Sequence, residues 1–317
     1  MKHLSRLRTP LFWAVKLALT ALLLGLAFRG IPKGALLGAL GRIHWPLTLA
    51  AISLYGLASI PLDALRLHGI ASQLEDPEQN LGEWIRLYLE SRPFFYLLPA
   101  AAGADGLIWY RLKDRLWSHR DCGLLLLLNR TWGIGVWAMA GALSLLLGKE
   151  SAAILRGAPA WLLHSGFWGA LGLSACVISA WGPSALGLRR EFSLRPFRLS
   201  RVATVLTATA TSALLQGLSV HWAARAAGIP LPFGACLGLL AWFNFAMVLP
   251  ISLGGLGLQE ALVLRLASPL GLATAPLLVF SVLVHLLRLT LVALGAATYL
   301  RGRPTPPPDH SGTPPRN

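Results

Sequence analysis

The chain has 317 residues, of which 55% are hydrophobic and 13% are charged. Because soluble domains have about a quarter of their residues charged, this composition excludes an ordinary soluble protein and indicates a membrane domain. The formal net charge is +15, but the basic residues lie between apolar segments, where they set topology and meet anionic headgroups. Nucleic-acid binding is therefore not expected. Three isolated cysteines, Cys122, Cys176 and Cys236, predict neither a disulfide framework nor a metal site.

Eight apolar runs predict membrane-embedded segments, since about 20 apolar residues in a helix cross a hydrocarbon core of about 30 Å. The segments lie at residues 11–28, 47–65, 122–147, 159–182, 202–224, 233–250, 255–267 and 275–299. The run 255–267 is too short for a full crossing and predicts a half-helix. The stretch 81–112 alternates aromatic and charged residues, which predicts an amphipathic or re-entrant element at the membrane interface. The predicted fold is an all-α, polytopic helical membrane bundle with re-entrant or broken helices.

Basic residues between the segments predict the orientation of the chain. The loops on the N-terminal side contain more Arg and Lys than those on the other side, so the N-terminus is expected in the cytoplasm. Arg301 and Arg303 favour the same side and hence an even number of crossings. Residues 1–300 are predicted to form one transmembrane domain. Residues 301–317 are rich in proline with almost no apolar residues, so this tail is predicted to be disordered.

The stretch 244–260 predicts a helix break at membrane depth. Pro250 removes a backbone donor, and Gly254, Gly255 and Gly257 permit non-helical backbone. Broken backbone inside a membrane persists only where protein buries it or water reaches it. A helix restarting near Gly257 would direct free N–H groups and the positive end of its dipole into such a cavity, an arrangement that favours phosphate binding.

Three charged residues inside apolar runs are candidates for a binding site. Glu260 would lie in the first turn of the restarted helix, where it either stabilises the helix dipole or lines a translocation cavity. Arg130 and Arg288 each either reach the membrane interface or need a carboxylate, a lipid phosphate or water. The sharper hypothesis is that Glu260 pairs with one of these arginines in a buried network that also binds an anionic headgroup.

A second break is predicted at residues 99–105, after an aromatic run. Asp105 and Arg111 form either an interfacial ion pair or headgroup contacts. Asp63 and His221 are lone polar residues near segment ends and are interpreted as structural. The sequence contains no HExxH, GxSxG, P-loop or Rossmann glycine motif. Neither enzymatic activity with catalytic residues nor a cofactor or metal is therefore expected.

The chain resembles the transmembrane region of lysylphosphatidylglycerol synthases, a family of flippase-like membrane proteins, over roughly residues 10–300. The segments that carry the resemblance are Leu98-Pro99 with Gly103 and Asp105, the pair Asn129-Arg130, Leu249-Pro250 with Gly254-Gly255-Leu256-Gly257 and Glu260, and the end of the last helix from Gly295 to Leu300. The family often has an arginine three residues after the acidic position, where this chain has Ile108. Arg111 lies one turn further along the same helical face.

The resemblance implies a helical bundle in a prokaryotic cytoplasmic membrane that moves anionic or aminoacylated phospholipids between leaflets. Headgroup-binding residues are then expected at Arg130, Pro250, Gly254, Gly255, Gly257, Glu260, Arg288, Asp105 and Arg111. The sequence holds no aminoacylating domain, so the chain itself is not expected to charge lipids. The sequence leaves open whether the chain has a lipid-modifying enzyme as a partner and whether it forms a homo-oligomer.

Two alternatives to lipid translocation are kept. The first is an accessory protein or enzyme that acts on polyprenyl-phosphate-linked sugars, with Glu260 or Asp105 as a general base. The second is a small-solute transporter, which would take up its substrate independently of the lipid composition.

Overall fold

The computed structural model describes residues 17–29, 31–74, 80–97, 102–113, 119–147, 199–248, 254–267 and 270–302. Within these ranges the chain forms α-helices and no strand. The helices are α1 (Leu17–Phe28), α2 (Lys33–Gly41), α3 (Trp45–Leu74), α4 (Leu81–Leu97), α5 (Ala102–Lys113), α6 (His119–Leu146), α7 (Leu199–Ala226), α8 (Phe233–Val248), α9 (Leu258–Ala267) and α10 (Thr274–Arg301). The predicted all-α fold class is confirmed.

Four of the described helices, α3, α6, α7 and α10, are long and apolar enough to cross a membrane. The helices α1 and α2 would supply a fifth crossing if they are taken together, although their axes are bent by 88° at the short break between them. Seven of the eight predicted segments coincide with helices, and the eighth, 159–182, lies outside the described residues. The prediction of a polytopic helical bundle is confirmed.

The break between α8 and α9 has the backbone that the glycines predict. Gly254, Gly255 and Gly257 have φ values of 55°, 85° and 81°, a region that side chains with a Cβ rarely adopt. Helix α9 has only ten residues, or about 15 Å at 1.5 Å per residue, so the half-helix prediction is confirmed. Pro250 lies outside the described residues.

Residues 81–112 form two short helices that pack into the bundle. Helix α4 contacts α3, α5 and α10, its Trp84 is fully buried, and its Glu90 is only 3% exposed. The amphipathic and the re-entrant interpretations of this stretch both stay predictions. Glu90 accepts its partners within the bundle, from Arg86 at 2.8 Å and Arg111 at 3.1 Å.

Small residues allow several helices to approach closely, as is common in membrane bundles. A Cβ added at Gly69 of α3 would lie 2.7 Å from the Val205 side chain of α7, and one at Gly217 of α7 would lie 2.9 Å from Leu237 of α8. Gly295 of α10 meets the backbone carbonyl of Leu89 in α4. That carbonyl has no donor one turn later, because Pro93 lacks an N–H.

We expect Gly295→Ala to lower the free energy of unfolding by about 1–3 kcal/mol, the usual cost of overpacking. The added methyl would overlap the Leu89 carbonyl oxygen, and backbone cannot move aside as the end of a side chain can. The measurement is unfolding of the purified protein in detergent. The matched control is Gly56→Ala in α3, where an added Cβ meets nothing within 4 Å. Equal stability of the two variants would contradict the close α4–α10 contact.

Candidate functional site

A cavity of about 280 Å³ lies among seven helices, α3 to α8 and α10. The charged residues that line it are Asp63, Arg66, Arg92, Asp105, Arg130 and Arg288. Four arginines therefore face two aspartates in a space surrounded by apolar helices. Charged groups inside a membrane bundle are costly unless they pair with one another or face a polar cavity, and they often mark a substrate pathway.

Asp63 is the hub of a hydrogen-bond network that joins four helices. Its carboxylate accepts a hydrogen bond from Tyr88 Oη of α4 at 2.7 Å and one from Ser212 Oγ of α7 at 3.0 Å. Arg66, one turn further along α3, lies 3.4 Å from the same carboxylate and donates through Nε to Asn129 Oδ1 of α6 at 3.0 Å. The interpretation of Asp63 as a lone polar residue is wrong, because Tyr88 of α4 and Ser212 of α7 bind it together with Arg66 of its own helix.

The network continues along α7. Gln216 Nε2 donates to Ser212 Oγ at 2.9 Å, and Ser212 in turn donates to Asp63. Both side chains line the cavity, one helical turn apart. This row of polar groups forms the α7 wall of the cavity.

Asp105 pairs with Arg130 across the α5–α6 contact. Arg130 donates to Asp105 Oδ2 from Nε at 2.8 Å and also from Nη2. The predicted alternative pair of Asp105 with Arg111 is wrong, since Arg111 binds Glu90 at 3.1 Å. The reason is helical geometry, because six residues at about 100° each place Asp105 and Arg111 about 120° apart around the helix.

Arg92 lies in the cavity wall with its guanidinium stacked on aromatic rings. The guanidinium carbon is 3.7 Å from the centre of the Tyr88 ring and 5.7 Å from that of Phe95. Nε contacts the Tyr88 carbonyl at 3.4 Å. A cation held over ring faces is stabilised by their quadrupoles and keeps the edge of its guanidinium for other partners.

Glu260 caps its own helix. Its Oε2 accepts a hydrogen bond from the Gly257 N–H at 2.7 Å, the reach from the third helical residue back to the N-cap that is seen in capping boxes. Its Oε1 accepts from Ser281 Oγ at 3.1 Å and lies 2.9 Å from His285 Nε2, both of α10. With 1% exposure, this carboxylate holds α9 against α10.

The predicted direct pair of Glu260 with Arg130 or Arg288 is wrong. Arg288 Nη1 instead donates to Gln259 Oε1 at 2.7 Å. Gln259 precedes Glu260 by one residue and so points about 100° away from it around α9. Arg288 still belongs to the same buried chain of polar groups, because Gln259 also donates to Ser281, which donates to Glu260.

The sequence also predicted phosphate binding at the start of α9. In the structure the Gly257 N–H is already bound by Glu260. An added Cβ at Gly257 would lie 2.5 Å from Leu23 Cβ and 3.0 Å from the Leu24 N atom, so α1 packs directly against this position. Neither Glu260 nor the three glycines line the cavity, and their assignment to headgroup binding stays a prediction.

Comparison with known families decides what kind of protein this is. The family described as the lysylphosphatidylglycerol synthase TM region matches residues 13–295. The chain belongs to this family. It is a multi-pass membrane protein, and the resemblance drawn from the sequence motifs is confirmed. No curated protein matches the sequence.

Of the site residues predicted for this family member, the structure brings Asp105, Arg130 and Arg288 to the cavity. Sequence reasoning missed Arg66, Arg92 and the polar row on α7. Helical spacing is the signal that could have found them: Asp63 and Arg66 are three residues apart, while Tyr88 and Arg92 are four apart, as are Ser212 and Gln216. Polar pairs with these spacings inside helices of the bundle share one helical face.

Proposed function

We propose that this chain is a flippase-like translocase that moves anionic or aminoacylated phospholipids, or lipid-linked intermediates, between membrane leaflets. The observation that carries the proposal is the arginine-rich cavity lined by helices of a membrane bundle. The family description names the transmembrane region of a lipid synthase, which agrees with a lipid substrate. The proposal is transport without a chemical step on the lipid.

The cavity suits the physical task of moving a headgroup. A charged headgroup entering hydrocarbon loses its hydration, at a cost of several kcal/mol or more. Guanidinium and hydroxyl groups in a fixed cavity replace part of that hydration and so lower the barrier. The acyl chains need no such help because they stay in the bilayer. The sequence contains no P-loop motif, so the proposed movement is downhill or ion-coupled.

The lining also matches an amphiphile. Apolar side chains line the cavity beside the polar groups: α8 contributes Phe245 and Met247 next to Asn244, and α10 contributes Leu291 and Val292 next to Arg288. Ile134 lies in the cavity wall and is also 38% exposed. In the proposed function, an acyl chain leaves the headgroup site past these apolar side chains.

The test is leaflet exchange of fluorescent phosphatidylglycerol in proteoliposomes that contain the wild-type chain or Gly133→Phe. Gly133 lines the cavity, and a Cβ added there meets nothing within 4 Å. The phenyl ring therefore has room to occupy the cavity without changing any charge. We expect wild type to exchange lipid and Gly133→Phe to exchange it at the rate of protein-free liposomes.

The matched control is Gly123→Phe, three helical turns earlier on α6. Gly123 is exposed and an added Cβ there also meets open space, so this variant should exchange lipid like wild type. Absence of exchange by folded wild-type protein, with several anionic and aminoacylated headgroups, would reject the proposed function. Equal loss in both variants would show that the added ring acts through folding and not through the cavity.

A further inference from the structure

Three charged side chains meet where α4, α5 and α10 come together. The buried carboxylate of Glu90 lies 2.8 Å from Arg86 Nε through Oε1 and 3.1 Å from Arg111 Nη2 through Oε2. Gly302 closes another side, because a Cβ added there would meet Arg86 Nη2 and Glu90 Oε1. None of these residues lines the cavity. Glu90, Arg86 and Arg111, called the Glu90 cluster below, thus form a second charged group that is separate from the cavity.

The Glu90 cluster lies at the end of a helix that can cross a membrane. Helix α10 is such a helix, and its last residue is Arg301. In the same turn, Tyr299 packs edge-to-face on Phe94 of α4 with 5.3 Å between the ring centres, and Leu300 is 81% exposed. Tyrosine and arginine at the end of a membrane span are typical of the headgroup layer. The cluster therefore lies at the depth of lipid headgroups, with exposed apolar surface on the same turn of α10.

The two arginines of the cluster keep donors that are accessible. The side chain of Arg86 is 54% exposed and that of Arg111 is 26% exposed, and neither pairs with a carboxylate other than Glu90 in the described part of the chain. A guanidinium has five N–H donors. No nitrogen of either group is buried without a partner within the described ranges, so the donors that Glu90 does not use reach the outside.

Glu90 also shows that both guanidinium groups reach one small oxyanion at the same time, because they contact the two oxygens of a single carboxylate. Two arginines and one glutamate leave the cluster with one positive charge in excess. A phosphodiester carries one negative charge, so its binding beside Glu90 brings the cluster to neutrality. Guanidinium groups suit this ligand, since their planar fork matches the spacing of phosphate oxygens.

We propose that Arg86 and Arg111 bind the phosphate group of an anionic glycerophospholipid at the membrane surface, at a site separate from the cavity. This inference goes beyond the proposed function, because it holds whether or not lipid crosses the bundle. The phosphate oxygens accept from the accessible donors of both arginines, and an acyl chain lies along the exposed apolar surface at Leu300. Helix α4 carries Arg92 and α5 carries Asp105 in the cavity wall. The bound lipid therefore ties two cavity-lining helices together at the membrane surface.

The test is lipid binding to the purified full-length chain in detergent, measured by native mass spectrometry. Every variant also carries Gly133→Phe, which fills the cavity, so that binding there does not obscure the surface site. The ligands are short-chain phosphatidylglycerol and phosphatidylcholine, with glycerol phosphate as a soluble phosphate ester. Phosphatidylglycerol should bind more tightly than phosphatidylcholine, whose ammonium group is repelled by the arginines. Arg86→Gln should weaken phosphatidylglycerol binding about tenfold, because it removes a hydrogen bond between charged groups.

The matched control is Arg225→Gln, which loses the same charge at an exposed position near the end of α7 and should bind like its parent. Unchanged binding in Arg86→Gln, an equal loss in Arg225→Gln, or equal binding of the two lipids would each overturn the inference. Arg86→Lys keeps a positive charge beside Glu90, so it tests the site if Arg86→Gln does not fold. It should also bind more weakly than its parent, because lysine lacks the planar fork.

Competition by glycerol phosphate identifies the source of the phosphate group. Weak competition supports a lipid headgroup, because the apolar surface at Leu300 then contributes to binding. Competition as strong as that of short-chain phosphatidylglycerol would overturn the assignment to a lipid and identify a soluble phosphate ester as the ligand. The cavity is filled in all of these variants, so absence of leaflet exchange by the wild type would reject translocation alone and leave the surface site standing.

Discussion

Replacing Asp63 with alanine is expected to lower the free energy of unfolding by about 3–5 kcal/mol, the usual cost of removing one partner of a buried ion pair. The substitution leaves the Arg66 charge without its carboxylate and takes the acceptor from the hydroxyls of Tyr88 and Ser212. These contacts join α3 to α4 and α7, so the loss affects three helices together. Unfolding in mixed micelles with increasing denaturing detergent measures the change.

The control for this prediction is the double variant Asp63→Ala with Arg66→Met. Removing both charges eliminates the uncompensated guanidinium, and the double variant should therefore be more stable than the sum of the two single losses predicts. Strict additivity would mean that the 3.4 Å contact between Asp63 and Arg66 contributes nothing. The stability would then depend on the two hydroxyl contacts alone.

Hydrophobicity located the helices well because a membrane span is defined by a continuous apolar run. Hydrophobicity predicted the helix ends poorly where polar residues have hydrogen-bond partners inside the bundle. The predicted segment 47–65 continues in the structure to Leu74, and the extension includes Arg66, whose partners Asp63 and Asn129 hold it inside the fold. Helix α4 shows the same effect, because its Glu90 is buried and pairs with Arg111 of another helix.

Of the candidate site, only the helix break could be predicted from the sequence, because it follows from the backbone properties of proline and glycine. Pro250 and the glycines at 254, 255 and 257 predict a break from their own conformational limits, and the structure has positive φ at all three glycines. The pairing of charges is a tertiary property. Asp63 and Ser212 are 149 residues apart, and nothing local to either residue indicates the other. For this reason Asp105 was paired with the nearby Arg111 although Arg130 binds it.

Replacing Glu260 with alanine is expected to lower the free energy of unfolding by about 2–6 kcal/mol, because two buried donors lose their acceptor at about 1–3 kcal/mol each. These donors are the Gly257 N–H and Ser281 Oγ. Glu260→Gln keeps an acceptor oxygen and should lose less. Unfolding in detergent gives the stabilities, and leaflet exchange per folded molecule gives the activity of each variant.

These two measurements separate the capping role of Glu260 from the transport role that its sequence position suggested. If the carboxylate holds α9 against α10, exchange by Glu260→Gln falls only as far as the folded fraction falls. Gly133→Phe, by contrast, loses exchange while it remains folded, because Gly133 lines the cavity with open space around it and Glu260 does not line the cavity. Loss of exchange in fully folded Glu260→Gln would place the carboxylate in the path of the headgroup. The helix break, and not the arginine cavity, would then be the centre of the transport site.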